Sequence, residues 1–230
     1  SDLAVRNFPT RSRLRVTFVD EINMRPLLIV VLCCTLLGCD GDPGHSKRSA
    51  TQPRTPDVNE DPPSSLTDPT GYHAYWLAKA ENGDPEAMFQ VGTQFRDGMG
   101  CSTSKRKAFD WWKRAAEAGH VKSMSNIGYC YDEGDVVPRD YTEALLWYRK
   151  AAELGDSLAM KNVAMMYLSG DGTDKDPSIG FDWAVRSANA GSRQGMQLLA
   201  ELYTEGIGTE KDESRAKEWL AKSLEAEFVE

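Results

Sequence analysis

Residues 108–119 read AFDWWKRAAEAG, and residues 144–155 read ALLWYRKAAELG. The two stretches share an opening Ala, a Trp at the fourth position, a basic pair and a closing Ala-Ala-Glu-x-Gly, and they begin 36 residues apart. The same step carries Trp111 to Trp147, Trp183 and Trp219, and Gly98 to Gly134, Gly170 and Gly206. Met88, Met124, Met160 and Met196 obey it, as do Phe95, Tyr131, Tyr167 and Tyr203, and Ala108, Ala144, Gly180 and Ala216. Registers that coincide over four units without slippage mark a solenoid built by stacking one supersecondary motif.

Each unit parses into two helices by its punctuation. Asp84-Pro85 supplies an N-cap and a first-position proline, and Ala87, Met88, Val91 and Phe95 then recur at helical spacing until Gly98. A second helix is expected from Ser104, Asp140, Asp176 or Asp212, with Ala108, Trp111 and Ala115 on its buried stripe and a stop at Gly119, Gly155 or Gly191. Gly92 and Gly128, with Ala164 and Ala200 in their place later, let paired helices approach while large aromatics fill the remaining space. Tyr75 stands 36 residues before Trp111 and Gly83 stands 36 before Gly119, so a half-repeat precedes the first full unit. The expected fold is all-α, a right-handed α-solenoid of four 36-residue helix-turn-helix repeats with an N-terminal half-repeat. Glu218, Glu225, Glu227 and Glu230 around Trp219 and Leu220 predict a polar outer side on the last helix, which solubility of a terminal repeat requires.

Ahead of the repeats the composition changes twice. Met24-Arg25 leads into a largely apolar run from Leu27 to Leu37, the length of a secretory signal's central region and too short to span a bilayer. The run ends in Leu36-Leu37-Gly38-Cys39, which resembles the bacterial lipoprotein box, so residues 24–38 read as a lipoprotein signal peptide and Cys39 as the lipidated first mature residue. Residues 1–23 place Asp20 and Glu21 where export signals want positive charge, and they read as upstream sequence with the natural start at Met24. From 39 to 71 the chain is rich in Asp, Pro, Ser, Thr and Gly, a tether unable to bury enough surface to order itself. About thirty such residues span roughly 30 Å, which would hold the repeats of 72–230 clear of the lipid headgroups.

The net charge of -8 understates the acidity of the body, since removing residues 1–38 leaves 22 basic and 32 acidic side chains. An acidic body without a basic stripe excludes nucleic acid as a partner. No His-Glu-x-x-His, Gly-x-Ser-x-Gly, phosphate loop or dinucleotide fingerprint occurs, and the three His (His45, His73, His120) form no constellation, so neither an enzyme nor a cofactor is expected. Asp171, Asp174 and Asp176 share one loop, but their spacing departs from calcium loops and Asp176 already serves as a cap, so no metal site is expected. Cys101 and Cys130 lie near equivalent helix ends of successive repeats and are candidates for a disulfide in an oxidising compartment.

Function is therefore sought on the surface. In each first helix the positions free of the repeat pattern fall at 86, 89, 93 and 96 and their 36-residue equivalents, all on one face. The candidate partner-binding residues are Phe89, Thr93 and Arg96, then Lys122, Ser125, Tyr129 and Asp132, then Lys161, Met165 and Leu168, then Gln197 and Glu201. Phe89, Tyr129, Met165 and Leu168 are apolar groups that the repeat does not demand, set among charges as in a binding face.

The stretches Val91-Gly92-Thr93-Gln94-Phe95, Gly98-Met99-Gly100 and Ala144–Gly155 resemble the Sel-one-like repeat, a relative of the 34-residue tetratricopeptide repeat with a longer loop between its helices. The resemblance implies a scaffold or adaptor that holds a protein partner. For a short exported lipoprotein it also implies a periplasmic, membrane-anchored immunity protein that binds and neutralises a type VI secretion phospholipase toxin. The alternative is a cell-envelope scaffold or regulator that assembles other secreted proteins. Asp40 after Cys39 resembles an inner-membrane retention signal, leaving inner and outer membrane both open.

Overall fold

The computed structural model describes residues 61–226 apart from Pro63 and Leu66. The signal peptide, Cys39, most of the tether, Glu227 and Glu230 lie outside the described residues. Among the described residues the chain is all-helical: α1 (Pro69–Glu81), α2 (Pro85–Asp97), α3 (Lys105–Glu117), α4 (Val121–Glu133), α5 (Tyr141–Glu153), α6 (Ser157–Ser169), α7 (Pro177–Asn189), α8 (Arg193–Glu205) and α9 (Glu213–Glu225). Each helix has 13 residues, about 20 Å of rod. None is long and apolar enough to cross a membrane.

Local chemistry sets these boundaries. Asp84 accepts hydrogen bonds from the Glu86 and Ala87 amides at 2.9 and 3.2 Å, and Ser104, Asp140, Asp156, Asp176, Ser192 and Asp212 cap their helices in the same way. His120 fills the same place in α4 through Nδ1, which accepts from the Ser123 amide at 3.2 Å. Each first helix ends on a left-handed glycine; Gly98 has φ 75°, a conformation that a side chain at this position would strain. The loop then closes by one recurring bond: the amides of Ser104, Asp140, Asp176 and Asp212 donate to the carbonyls of Phe95, Tyr131, Tyr167 and Tyr203 at 2.7–2.9 Å. The first helix begins earlier than the tether's predicted end at residue 71, because Asp68-Pro69 is the same cap-and-proline pair as Asp84-Pro85, and Asp68 accepts from the Gly71 amide.

Each helix packs chiefly on its neighbours in sequence, α2 with α3 within a repeat and α3 with α4 between repeats, as stacking requires. α6 also touches α8, a contact between the first helices of successive repeats. The core runs through the joints as Ala87, Met88, Val91 and Phe95 of α2, Ala108, Phe109, Trp112 and Ala115 of α3, and their equivalents onward.

Two expectations are corrected here. The periodic tryptophans do not line the buried stripe: Trp111, Trp147, Trp183 and Trp219 are half-buried, each roofed by the cation three residues on, with Arg114, Lys150, Arg186 and Lys222 centred 4.1, 4.2, 4.6 and 4.3 Å from the rings. The buried large residue is the next one along, Trp112 and Tyr148, whose rings lie against Gly92 and Gly128 so closely that a Cβ there would collide. In the third repeat the exchange of large and small reverses, and Leu168 of α6 lies over Gly180 of α7. The second correction concerns the far end. Glu218 and Glu225 are exposed as expected, yet Leu220 and Leu224 on the same helix are 49% and 52% exposed, so the terminal side is not uniformly polar.

Candidate interaction surface

The row chosen on the first helices divides into residues used by the fold and residues left to solvent. Phe89 is half-buried and stacks on the His120 ring at 4.6 Å, while Glu86 lies 3.1 Å from His120 Nε2. Thr93 donates its hydroxyl to the Phe89 carbonyl at 3.1 Å. Ser125 donates to Asp156 at 3.1 Å. Positions 89 and 125 therefore tie one repeat to the cap of the next, and their polar or aromatic character serves the joint.

Asp132 and Leu168 are buried, 7% and 1% exposed, which corrects their assignment to the surface. For Leu168 the reason lies across the helix pair: it faces Gly180 and fills volume that Trp112 and Tyr148 fill from the other side in earlier repeats. Lys161 and Met165 are half-buried. Arg96, Lys122, Tyr129, Gln197 and Glu201 are exposed, joined by Leu158, which was in the row but not among the chosen residues. Arg96 forks onto Asp97 at 2.7 and 2.9 Å and lies over Trp112, so its charge is already answered.

Tyr129 is the centre of what remains, 55% exposed midway along the stack. Desolvation first, then the carboxylates of Glu133, Asp135 and Asp132, push its phenol above the ordinary range, so at neutral pH the hydroxyl is a firm hydrogen-bond donor. Lys105 of α3 reaches Asp135 at 2.8 Å beside it. The surface is thus an amphipathic aromatic ringed by acid with one bound cation, suited to an apolar contact flanked by a hydrogen-bond acceptor.

The disulfide candidates Cys101 and Cys130 are free thiols in this structure. Cys101 donates to the Gln94 carbonyl at 3.5 Å, and Cys130 is the 36-residue equivalent of Gln94. Burial raises the Cys130 thiol to about 11. In the acidic loop Asp171 accepts from Ser169 at 2.6 Å and Asp176 caps α7; among the described residues no group of His, Cys, Asp and Glu is placed to hold a metal ion.

Stacked two-helix units with first helices meeting along one side and half-buried aromatics along the other define a tetratricopeptide-like helical-repeat solenoid, a class that works by holding proteins. The Sel1 repeat model matches residues 85–120, 121–156, 157–192 and 194–227, and the chain belongs to the Sel1 repeat family, whose members are protein-interaction scaffolds and generally non-catalytic. A protective antigen of uropathogenic Escherichia coli with an SLR fold is 33% identical, with a TM-score of 0.64, over 66% of this chain and 33% of its own. A Sel1 repeat protein from Oxalobacter formigenes is 32% identical, with a TM-score of 0.66, over 68% of this chain and 65% of its own. This chain thus spans a third of the first and just under two thirds of the second. An immunity protein from Pseudomonas aeruginosa is 16% identical with a TM-score of 0.47, over 68% of this chain and 56% of its own, a likeness too slight to carry an argument. No curated protein matches the chain.

Proposed function

We propose that this chain is a lipid-anchored periplasmic protein that captures a protein toxin, most specifically an immunity protein neutralising a phospholipase of type VI secretion. The observation that carries the binding role is Tyr129, a large aromatic held 55% exposed on the first-helix side where packing asks for nothing. A preformed stack suits tight capture because its helices are ordered before the partner arrives, which lowers the ordering cost of association. The Leu36-Leu37-Gly38-Cys39 box supports placement at a bacterial membrane, where an exported lipase would act.

The experiment reads the open reading frames beside this one and pairs the chain with a phospholipase encoded there. Cells receiving the periplasm-directed lipase should survive when the chain is co-expressed and lyse when it carries Cys39→Ser together with Tyr129→Ala. A neighbouring region that encodes no lipase, together with wild-type protein that leaves lipase activity untouched, overturns the toxin reading and leaves the envelope-scaffold reading in its place.

A further inference from the structure

Among the described residues no helix packs on the far side of α9. Between α8 and α9 runs a groove of about 440 Å³ lined by Ala200, Glu201, Thr204, Ala216, Lys217 and Leu220. Leu224 lies one turn beyond Leu220. The second helices α3, α5 and α7 bury the equivalent positions: Trp112, Tyr148 and Ala184 stand at the place of Leu220, and Ala116, Ala152 and Ala188 at the place of Leu224, none more than 5% exposed, while in α1 Ala80 is buried and Trp76 half-buried.

The internal joints show what kind of object covers this face. It is a helix, α4 on α3, α6 on α5 and α8 on α7, with the Trp112 and Tyr148 rings lying also against Gly92 and Gly128 of their own repeat's first helix. α8 brings Gly195 against Ser187 and Ala188 of α7 so closely that a Cβ on Gly195 would overlap both. Across the same joints Phe109 meets Tyr131 and Phe181 meets Tyr203 edge-on, at 5.9 and 5.3 Å. α9 departs from this pattern at two points. Lys217 replaces Phe109 and Phe181, and Leu224 replaces the small alanine that allowed close contact. A further repeat of the same kind would therefore meet a charge where it needs an apolar ring and a bulky leucine where it needs a methyl. The face still presents two leucines and Ala216 to whatever comes.

Charge narrows the choice. On α9, Lys217 is 3.9 Å from Glu213, Arg215 is 3.3 Å from Asp212, and Lys222 is 2.7 Å from Glu218, so its cations are answered within the chain. Glu201 lines the groove and Glu205 follows one turn on along α8, both exposed, and neither has a cation in ion-pair distance among the described residues. A second copy of this chain offers the same two unanswered carboxylates and no spare cation on this face, so self-pairing sets like charge against like.

We propose that the groove between α8 and α9 docks an amphipathic helix of a protein partner, which lays an apolar stripe of small residues over Leu220 and Leu224 and sets a Lys or Arg against Glu201 and Glu205. The docking continues the helix-on-helix contact of the internal joints, with side-chain sizes changed so that a foreign helix is accepted in place of another repeat. It shares Gln197, Glu201 and Thr204 with the first-helix row and holds whatever the identity of the main partner.

The test uses the full chain and a fluorescein-labelled helical peptide of about four turns, with an Ala and Val stripe and Lys on one flank, beside a counterpart with Glu on that flank. Fluorescence anisotropy should show the Lys peptide binding at least about tenfold more tightly than the Glu peptide. The Leu220→Lys, Leu224→Lys double variant should lose that binding while melting at the wild-type temperature, and Glu201→Gln with Glu205→Gln should erase the preference for Lys. Equal binding by the leucine variant, or no binding of the Lys peptide by the wild type, overturns the proposal. Early melting of the leucine variant overturns it too, since the leucines would then be covered by the chain itself. Concentration-dependent dimers in sedimentation velocity that the leucine variant abolishes would assign the face to a second copy instead.

Discussion

Tyr129 and Tyr148 are separated by 19 positions in sequence and by opposite environments: one is exposed on the first-helix side and the other is 1% exposed against Gly128. Tyr148→Ala opens a core cavity and should cost about 3–5 kcal/mol in urea denaturation. Trp147→Ala should cost less, because that ring is half-buried beneath Lys150. Tyr129→Ala should leave the melting temperature nearly unchanged and weaken capture of the protein that co-purifies with the wild type by about 2 kcal/mol, roughly thirtyfold. A Tyr129 variant that melts early and binds normally would place that ring in the core's service. Cys130 gives the residue scale a pH signature. Its thiol is raised in the folded state to about 11 by burial, above the value near 9 of a free thiol, so the stability it contributes is complete below about 9 and is lost as pH rises toward 11. Alkylation at pH 8 should label Cys101 first and reach Cys130 only on unfolding; equal rates would show that the burial is wrong.

Between elements, the governing contact is large on small, and its direction switches along the stack. In the first two repeats a glycine on the first helix receives a ring from the second, Gly92 under Trp112 and Gly128 under Tyr148; in the third the glycine is Gly180 on the second helix and the large residue is Leu168 on the first. Gly128→Leu should overpack α4 against α5 and cost about 1–3 kcal/mol or more. Tyr148→Ala in the same chain should recover part of that loss, a favourable coupling readable in a double-mutant cycle. Additive losses would mean that the two side chains do not share the space. The switch also explains why Leu168 reads as surface in the sequence. Its position carries Arg96, Asp132 and Thr204 in the other repeats, and the room left at Gly180 on the facing helix receives its side chain.

For the whole molecule, stability is a sum over units and joints, because helices touch chiefly their sequence neighbours. The period is constant, so removing residues 157–192 would bring α8 onto α5, with Gly195 facing Ala151 and Ala152 in place of Ser187 and Ala188. Such a chain should remain helical and unfold cooperatively, with the urea m-value reduced by about a fifth in proportion to the surface it buries. It should also lose Met165 from the binding side, so affinity would fall further than stability. Loss of all helicity in circular dichroism would contradict a modular stack.

The 36-residue period, the caps at Asp84, Ser104, Asp140, Asp176 and Asp212, the helix ends at the left-handed glycines and the half-repeat before them were determined by the sequence itself, since capping, glycine conformation and periodic burial act within one or two turns of chain. Phe89 and Ser125 belonging to the joints, Asp132 and Leu168 lying inside, and Trp112 and Tyr148 displacing their neighbouring tryptophans from the core were decided only by the tertiary structure. Each of these depends on the size of a side chain on a facing helix, a distance that no single helix encodes. Leu220 and Leu224 hold both lessons at once: their departure from Trp, Tyr and Ala is written in the sequence, but its exposure follows from the absence of a further helix against α9 among the described residues.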